Sequence, residues 1–189
     1  MINLTNAVEI GEGNERICYE HPKDNSKVIK ITKKGVKSRK QNKIDMVYYK
    51  YLEKKAIDCS HLPLCYGYLQ TTLGEGVVFD KVSNDHSDTF TFEYIVMNNL
   101  LDKQIQKKIL NDLVEYIVTN NILFIDVSLS NLICYRGPEG KYKLMIVDGL
   151  GSRHLGLKFW IYRNFTYLAK RKIGKQIKKL YANFEKLEK

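Results

Sequence analysis

The sequence predicts an α+β protein whose first part is mainly an antiparallel sheet. Three observations predict this class. Short apolar runs separated by Gly, Pro, Asn and Asp turns fill most of residues 1–82. A long segment with helical spacing follows at residues 102–120, and two short apolar runs lie beyond it at 132–135 and 144–147. Residues 153–189 form a separate basic segment.

The first 82 residues predict strands around one helix. Alternating apolar residues lead into a glycine-rich turn at 11–16 and a second strand, and Val28–Ile31 predicts a third. A connection at 33–41 is expected to be exposed, and a hairpin is expected at 64–82 around the turn 72–75. The helix predicted over residues 42–56 has an apolar face made of Ile44, Val47, Tyr48, Tyr51 and Leu52.

The second half predicts a strong helix and a β pair. Asp102 is placed as the N-cap of the helix at 102–120, after a polar loop at 84–88. The turn 136–140 joins the two short strands. The apolar positions with helical spacing are Ile105, Ile109, Leu110, Leu113, Ile117 and Val118.

Composition predicts a cytoplasmic globular protein. The chain has 189 residues, 44% of them hydrophobic and 28% charged. The N-terminus has no basic region followed by an apolar run, and no segment approaches the roughly 20 apolar residues of a membrane span. The scattered cysteines form no CxxC pair, which favours a reducing compartment; they are Cys18, Cys59, Cys65 and Cys134.

Charge separates the body of the chain from its tail. Residues 153–189 hold 11 Lys or Arg and 2 Glu, a net +9 of the total +10. Apolar residues at helical spacing predict a helix over 165–188: Ile173, Ile177, Leu180, Phe184 and Leu187. We expect this stripe to cover the body, the lysine face to lie on an anionic surface such as the inner leaflet of the membrane, or both. No reading motif predicts specific nucleic-acid binding.

Four features with chemical meaning appear in order. Gly11 and Gly13 would let backbone N–H groups approach a phosphate, and Lys30 lies on a strand 17 residues after Gly13. Asp126 and Asn131 are five residues apart just after the long helix. Asp148 then ends an apolar strand and is followed by glycine. A carboxylate in that position is costly to bury without a partner, and a metal ion is a natural one.

The order of these features is the order found in kinases. It predicts a two-lobed protein-kinase-like fold, with an antiparallel N-lobe sheet (1–82) and a truncated, mainly helical C-lobe (83–152), holding ATP and Mg²⁺. Asp126 is expected to accept the proton of the attacking hydroxyl, and Asn131 and Asp148 to bind magnesium.

The nucleotide-binding set is drawn entirely from the N-lobe. Lys30 is expected to orient the phosphates, and its acidic partner is either Asp45 or Glu53 on the predicted helix. The expected nucleotide-binding residues are Gly11, Gly13, Arg16, Lys30, Asp45, Asp80 and Val82.

The sequence also resembles one particular family. The segments that carry the resemblance are 11–22, 28–31, Asp45–Tyr49, Pro63–Gly67, Ser128–Cys134 and the Asp148 segment. They resemble the family of the PhoP regulatory network protein YrbL, over about residues 8–155. The resemblance implies a kinase-like protein. The best-known members of that family are regulated alongside envelope stress genes in Gram-negative bacteria.

Several departures separate the sequence from protein kinases. Phe124 and Ile125 stand where His-Arg precedes the catalytic Asp, Ser128 replaces the lysine of Ser/Thr kinases, and Gly149 replaces the Phe of the metal-binding motif. No Ala-Pro-Glu segment follows. These departures favour a non-protein acceptor, either a small molecule or an envelope glycolipid such as a lipopolysaccharide core sugar. The alternative is a catalytically weak regulatory or nucleotide-binding module.

The histidines predict no site. His21, His61, His86 and His154 share no ligand spacing and are interpreted as surface or satisfied core residues. The aromatic residues of the tail are expected either in the core or at a membrane interface; they are Phe159, Trp160, Tyr162, Phe165 and Tyr167.

Overall fold

The computed structural model describes residues 1–35, 40–84, 89–137 and 139–188. The chain divides into two compact units, which we call the first and the second unit. The first unit comprises 1–56, 63–81 and 153–155, and the second comprises 57–62, 82–152 and 156–189. The mixed α+β class is confirmed.

The first unit is an antiparallel sheet with one helix, as far as its described residues show. Its elements are β1 (Glu9–Glu12), β2 (Arg16–Glu20), β3 (Lys27–Thr32), α1 (Gln41–Lys54), β4 (Cys65–Thr71) and β5 (Gly74–Asp80). The strand order is β1-β2-β3-β5-β4, and every neighbouring pair is antiparallel. The predicted antiparallel sheet is therefore confirmed.

The two faces of this sheet are covered by different segments. Successive residues of a strand point to opposite faces, so β3 contributes Val28 to one face and Ile29 to the other. Val28 packs in a cluster with residues that include Met46 of α1. Ile29 packs with Leu4 of the N-terminal segment. Helix α1 therefore lies on the face to which Lys30 also belongs.

The beginning of the chain differs from the prediction. Apolar alternation predicts a strand from Ile2 onward, but β1 spans only Glu9–Glu12 and includes Gly11. Ile2 forms a single parallel bridge to Thr71, and Leu4 is buried against the sheet. The alternation at Ile2 and Leu4 therefore reflects packing onto the sheet, whereas Val8 and Ile10 farther along are exposed.

The hairpin and α1 have tighter ends than predicted. The β4–β5 turn consists of Thr72 and Leu73 alone, because Gly74 already pairs with Thr71. Gly74 has φ of 115°, a conformation that glycine adopts without strain. Helix α1 ends at Lys54, and Ala56 beyond it has φ of 48°.

The second unit is mainly helical in its described part. Its elements are α2 (Phe92–Met97), α3 (Lys103–Thr119), β6 (Leu132–Arg136), β7 (Tyr142–Ile146), α4 (Leu157–Asn164) and α5 (Thr166–Leu187), with a 3-10 turn at Leu129–Asn131. Helix α3, the β6–β7 pair and the tail helix α5 are confirmed, whereas α2 and α4 were not predicted. None of the helices in the described part is long and apolar enough to cross a membrane.

Helix α3 shows how polar residues enter the core of this unit. Asp102 caps the helix as predicted, accepting from the Gln104 backbone N–H at 2.7 Å. The sequence predicts Ile105 and Val118 on the apolar face, but both are exposed. Gln106 is buried instead, because its amide donates to the Leu101 carbonyl at 2.7 Å.

Helix α5 packs its apolar stripe against the other helices of the second unit. Ile173, Leu180 and Phe184 are buried, and Phe184 stacks on Phe92 of α2 with ring centroids 5.6 Å apart. The helix contacts α2, α3 and α4. The exposed side carries Lys175, Lys178, Lys179 and Lys186. The stripe thus covers the body, and the lysines face outward.

Some predictions fall on residues outside the described ranges. These are Val36–Arg39 of the connection at 33–41, Asp85–Asp88 of the polar loop, which include His86, and Pro138 of the β6–β7 turn. His61 is half-buried and hydrogen-bonded. Its Nδ1–H donates to the Leu144 carbonyl at 2.7 Å, its ring contacts Tyr116, and burial lowers its pKa.

Candidate active site

Two segments of the second unit pair to build the predicted catalytic centre. Phe124 and Leu150 form an antiparallel bridge. The backbone N–H groups of Ile125 and Asp126 both donate to the Gly149 carbonyl, at 2.8 and 3.1 Å. Buried Phe124 and Leu150 anchor the two segments in the core, so that Asp126 lies at the exposed end of the pairing. Asp126 and the Asp148–Gly149 dipeptide are thereby brought together.

Asn131 joins the same constellation. Its Nδ2 donates to the Asp126 carbonyl at 2.9 Å, and its own carbonyl accepts from the Val147 N–H at 2.9 Å. The 3-10 turn that ends at Asn131 makes this bond possible, because it returns the chain to Asp126, five residues earlier. Asp126, Asn131 and Asp148 therefore lie around the short backbone pairing of 124–126 with 149–150.

Gly149, at the position where kinases have Phe, lies where the structure has no room for a side chain. Its φ is 83°, and a Cβ built there would lie 2.8 Å from the Asp126 carbonyl oxygen and 3.1 Å from Asn131 Nδ2. Its N–H donates to Asp148 Oδ1 at 2.8 Å, which fixes the orientation of that carboxylate. Only glycine suits this position, because a side chain would meet backbone that cannot move aside.

Gly149→Ala is expected to destabilise the protein by about 1–3 kcal/mol, since it combines a positive φ with a backbone clash. Urea unfolding followed by circular dichroism measures this change. Gly174→Ala is the control, because Gly174 lies in the interior of α5 and a Cβ added there would meet nothing within 4 Å. The control should stabilise the protein by about 0.4–1 kcal/mol. Equal stability of Gly149→Ala and the wild type would contradict the close approach.

Two amides of α5 hold the backbone on either side of Asp126. Gln176 Nε2 donates to the Ile125 carbonyl, and Asn183 Nδ2 donates to the Val127 carbonyl at 2.9 Å. Sequence reasoning missed both residues. A signal was present in the spacing. Gln176 and Asn183 each follow a residue of the apolar stripe, Ile173 or Leu180, by three positions, so both lie on the same helix face as the stripe.

The glycine-rich turn of the first unit is open. The Gly13 N–H donates to the Arg16 carbonyl at 2.9 Å and closes the β1–β2 turn. A Cβ at Gly11 would meet nothing within 4 Å, and one at Gly13 would meet only the Arg16 carbonyl at 3.8 Å. Packing among the described residues therefore does not require glycine at either position. Both glycines therefore leave space for an approaching ligand.

Asp45 binds Arg16 in a buried ion pair that sequence reasoning did not predict. Arg16 Nη1 lies 2.5 Å from Asp45 Oδ2 and 3.2 Å from the Asn42 side-chain oxygen. The Asn42 amide donates to the Lys30 carbonyl at 3.3 Å, so the network reaches β3. The Lys30 ammonium lies over the Phe79 ring, 4.9 Å from its centroid. The pairing of Lys30 with Asp45, or with exposed Glu53, stays a prediction.

The last two predicted nucleotide-binding residues fall in different units. The Asp80 carboxylate accepts from the Leu64 N–H at 3.1 Å and from the Tyr66 hydroxyl at 2.7 Å, which raises the pKa of Tyr66. This side chain therefore stabilises the β4–β5 hairpin. Val82 is half-buried and belongs to the second unit.

Asp148 and Asn131 are the residues of the second unit that could hold a metal ion. Within the described ranges, no group of three or more His, Cys, Asp or Glu is arranged to hold a metal. Mg²⁺ usually takes one or two protein oxygens and completes its shell with phosphates and water. Asp148 and Asn131 can supply two such oxygens, and bound magnesium would neutralise phosphate charge.

Comparison with known proteins places the whole chain in one family. The family model described as PhoP regulatory network protein YrbL matches residues 2–185. The "Uncharacterized protein YrbL" of Escherichia coli (strain K12) is 27% identical over 159 residues, covering 82% of this chain and 76% of the relative. The protein of the same name from Shigella flexneri matches with the same identity and coverage. The chain therefore belongs to the family of the PhoP regulatory network protein YrbL.

Proposed function

We propose that this protein is an ATP-dependent phosphotransferase of kinase-like fold that acts on a hydroxyl of a non-protein acceptor. One observation carries the proposal. Asp126, Asn131 and Asp148 lie around one backbone pairing in the second unit. The Asn131 amide donates to the Asp126 carbonyl, and the two chain neighbours of Asp148 bond the same residues: the Val147 N–H donates to the Asn131 carbonyl, and the Gly149 carbonyl accepts from the Asp126 N–H. A chance resemblance to kinase motifs would not require these residues to be neighbours.

The roles follow from the chemistry of phosphoryl transfer. The exposed Asp126 carboxylate would accept the proton of the acceptor hydroxyl. The hydroxyl oxygen would then form a bond to the γ-phosphorus of ATP, while the bond to the bridging oxygen breaks and ADP leaves. Asn131 and Asp148 would hold magnesium on the phosphates. In the first unit, Lys30 and the N–H groups near Gly11 and Gly13 would supply positive charge and donors for the phosphates.

The nature of the acceptor rests on the sequence of the catalytic segment. Ser128 occupies the position of the Ser/Thr-kinase lysine, and its hydroxyl bonds that of Ser130 at 2.6 Å. The chain also lacks an Ala-Pro-Glu segment. A small molecule or an envelope glycolipid, such as a lipopolysaccharide core sugar, is therefore the proposed acceptor class.

Asp148→Asn is expected to remove the magnesium-dependent part of the stabilisation by ATP. A ligand present at a hundredfold excess over its Kd stabilises a protein by about 2.7 kcal/mol. The asparagine keeps the shape of the side chain but loses the negative charge that attracts the cation. Thermal unfolding with ATP, with and without Mg²⁺, measures the effect.

The matched control is Asp112→Asn, which removes the same charge from a half-buried residue of α3 that pairs with Lys108. This variant should respond to ATP and magnesium as the wild type does. Absence of any shift in the wild type at millimolar ATP with magnesium would overturn the proposed function. Binding without phosphoryl transfer to any acceptor would instead favour a regulatory nucleotide-binding module.

A further inference from the structure

The start of the basic tail combines exposed cations with exposed apolar side chains. Residues 157–175 contain six Lys or Arg and no acidic residue. Of these cations, Lys158, Lys170, Arg171 and Lys175 are exposed. The exposed apolar and aromatic residues are Leu157, Trp160, Phe165, Tyr167 and Leu168. We call these nine residues the α4–α5 patch.

Packing of α5 does not account for the patch. The stripe that covers the second unit uses Ile173, Leu180 and Phe184, all buried. Leu157 is 71% exposed and Tyr167 78% exposed, although Trp160 and Phe165 shield each other partly by edge-to-face contact at 5.8 Å. Exposed aromatic and aliphatic groups beside clustered cations are characteristic of membrane-interface helices.

A groove between α4 and α5 adds a concave cationic surface. It has a volume of about 480 Å³, and its lining includes Lys158, Arg171 and Lys175 beside the apolar Ile161 and Leu168. A phosphate-bearing lipid headgroup matches this chemistry, since it presents negative charge next to hydrocarbon. The rest of α5 is different, because residues 176–188 contain three lysines but also two glutamates.

We propose that the α4–α5 patch binds the surface of a membrane rich in anionic phospholipid, with its cations at the headgroups and its apolar side chains at the interface. The charge of the patch is complementary to that surface, and Leu157 and Leu168 suit hydrocarbon better than they suit nucleic-acid bases. The inference goes beyond phosphoryl transfer and does not depend on it. It also leaves the α5 contacts near Asp126 in place, because Gln176 lies on the packed side of the helix.

The only tryptophan of the sequence, Trp160, lies in the patch and reports binding directly. Its emission should shift to shorter wavelength when the wild-type protein is mixed with phosphatidylcholine–phosphatidylglycerol vesicles at low salt. Phosphatidylcholine vesicles alone, or high salt, should give little shift and little co-sedimentation. An unchanged emission, or equal binding to both vesicle types at both salt concentrations, would overturn the proposal without any variant.

Charge variants locate the surface. Each cation near an anionic leaflet changes partitioning by about fivefold, so Lys158→Gln/Arg171→Gln/Lys175→Gln should weaken binding on the order of a hundredfold. Lys178→Gln/Lys179→Gln/Lys186→Gln removes the same charge from exposed positions outside the patch and should retain most of the binding. Equal losses in both variants would place the surface elsewhere. Binding to an RNA oligonucleotide with no response to vesicles would assign the patch to nucleic acid and overturn the proposal.

Discussion

Replacing Asp126 with alanine is expected to lower the rate of phosphoryl transfer by about 10²- to 10⁴-fold, the usual contribution of a general base. Nucleotide affinity should change little, because the proposed magnesium and phosphate contacts belong to other residues. The loop itself should persist in the variant. The Asp126 N–H and carbonyl, which bond Gly149 and Asn131, are backbone groups that the substitution retains.

Transfer of the γ-phosphoryl group from radiolabelled ATP to lipopolysaccharide and to simple sugars measures this rate. Asp112→Ala is the control, since it removes a half-buried carboxylate of the same unit that pairs with Lys108 on α3. Full transfer activity in Asp126→Ala would show that another group accepts the proton. Loss of ATP binding in that variant would show that Asp126 acts on the nucleotide instead.

Much of the fold could be predicted because its signals are local and repeated. Strands β2 and β3 are short runs separated by clear turn residues. Helix α3 has a capping aspartate and about four turns of apolar residues at helical spacing. Helix α2 has only six residues, which are too few for a helical period to be recognised. Its one local signal is Thr91, whose hydroxyl accepts from the Tyr94 N–H at 3.2 Å.

The candidate site could be predicted as a set of residues but not as a set of contacts. The order of Asp126, Asn131 and Asp148 identifies them, whereas the pairing of Phe124 with Leu150 depends on how distant segments fold together. The buried bond between Arg16 and Asp45 was missed for the same reason. Sequence order predicts Arg16 near the nucleotide and does not show that its side chain bonds Asp45 of α1.

Asp45→Ala is expected to destabilise the protein by about 3–5 kcal/mol, the usual cost of leaving one partner of a buried ion pair uncompensated. Arg16 is 6% exposed and Asp45 4% exposed, so water cannot readily replace the lost carboxylate. The variant also removes the acceptor of the Gln41 side-chain amide at 3.1 Å. Urea unfolding followed by circular dichroism gives the change in free energy.

Glu20→Ala is the matched control, because it breaks the ion pair between Glu20 and Lys81, both of which are partly exposed. Water and salt screen such a pair, so this loss should cost no more than about 1 kcal/mol. The double variant Arg16→Met/Asp45→Leu should recover most of the stability lost in Asp45→Ala, since it leaves no buried charge without a partner. A double variant as unstable as Asp45→Ala would show that the shape of the pair, and not its compensated charge, holds α1 on the sheet.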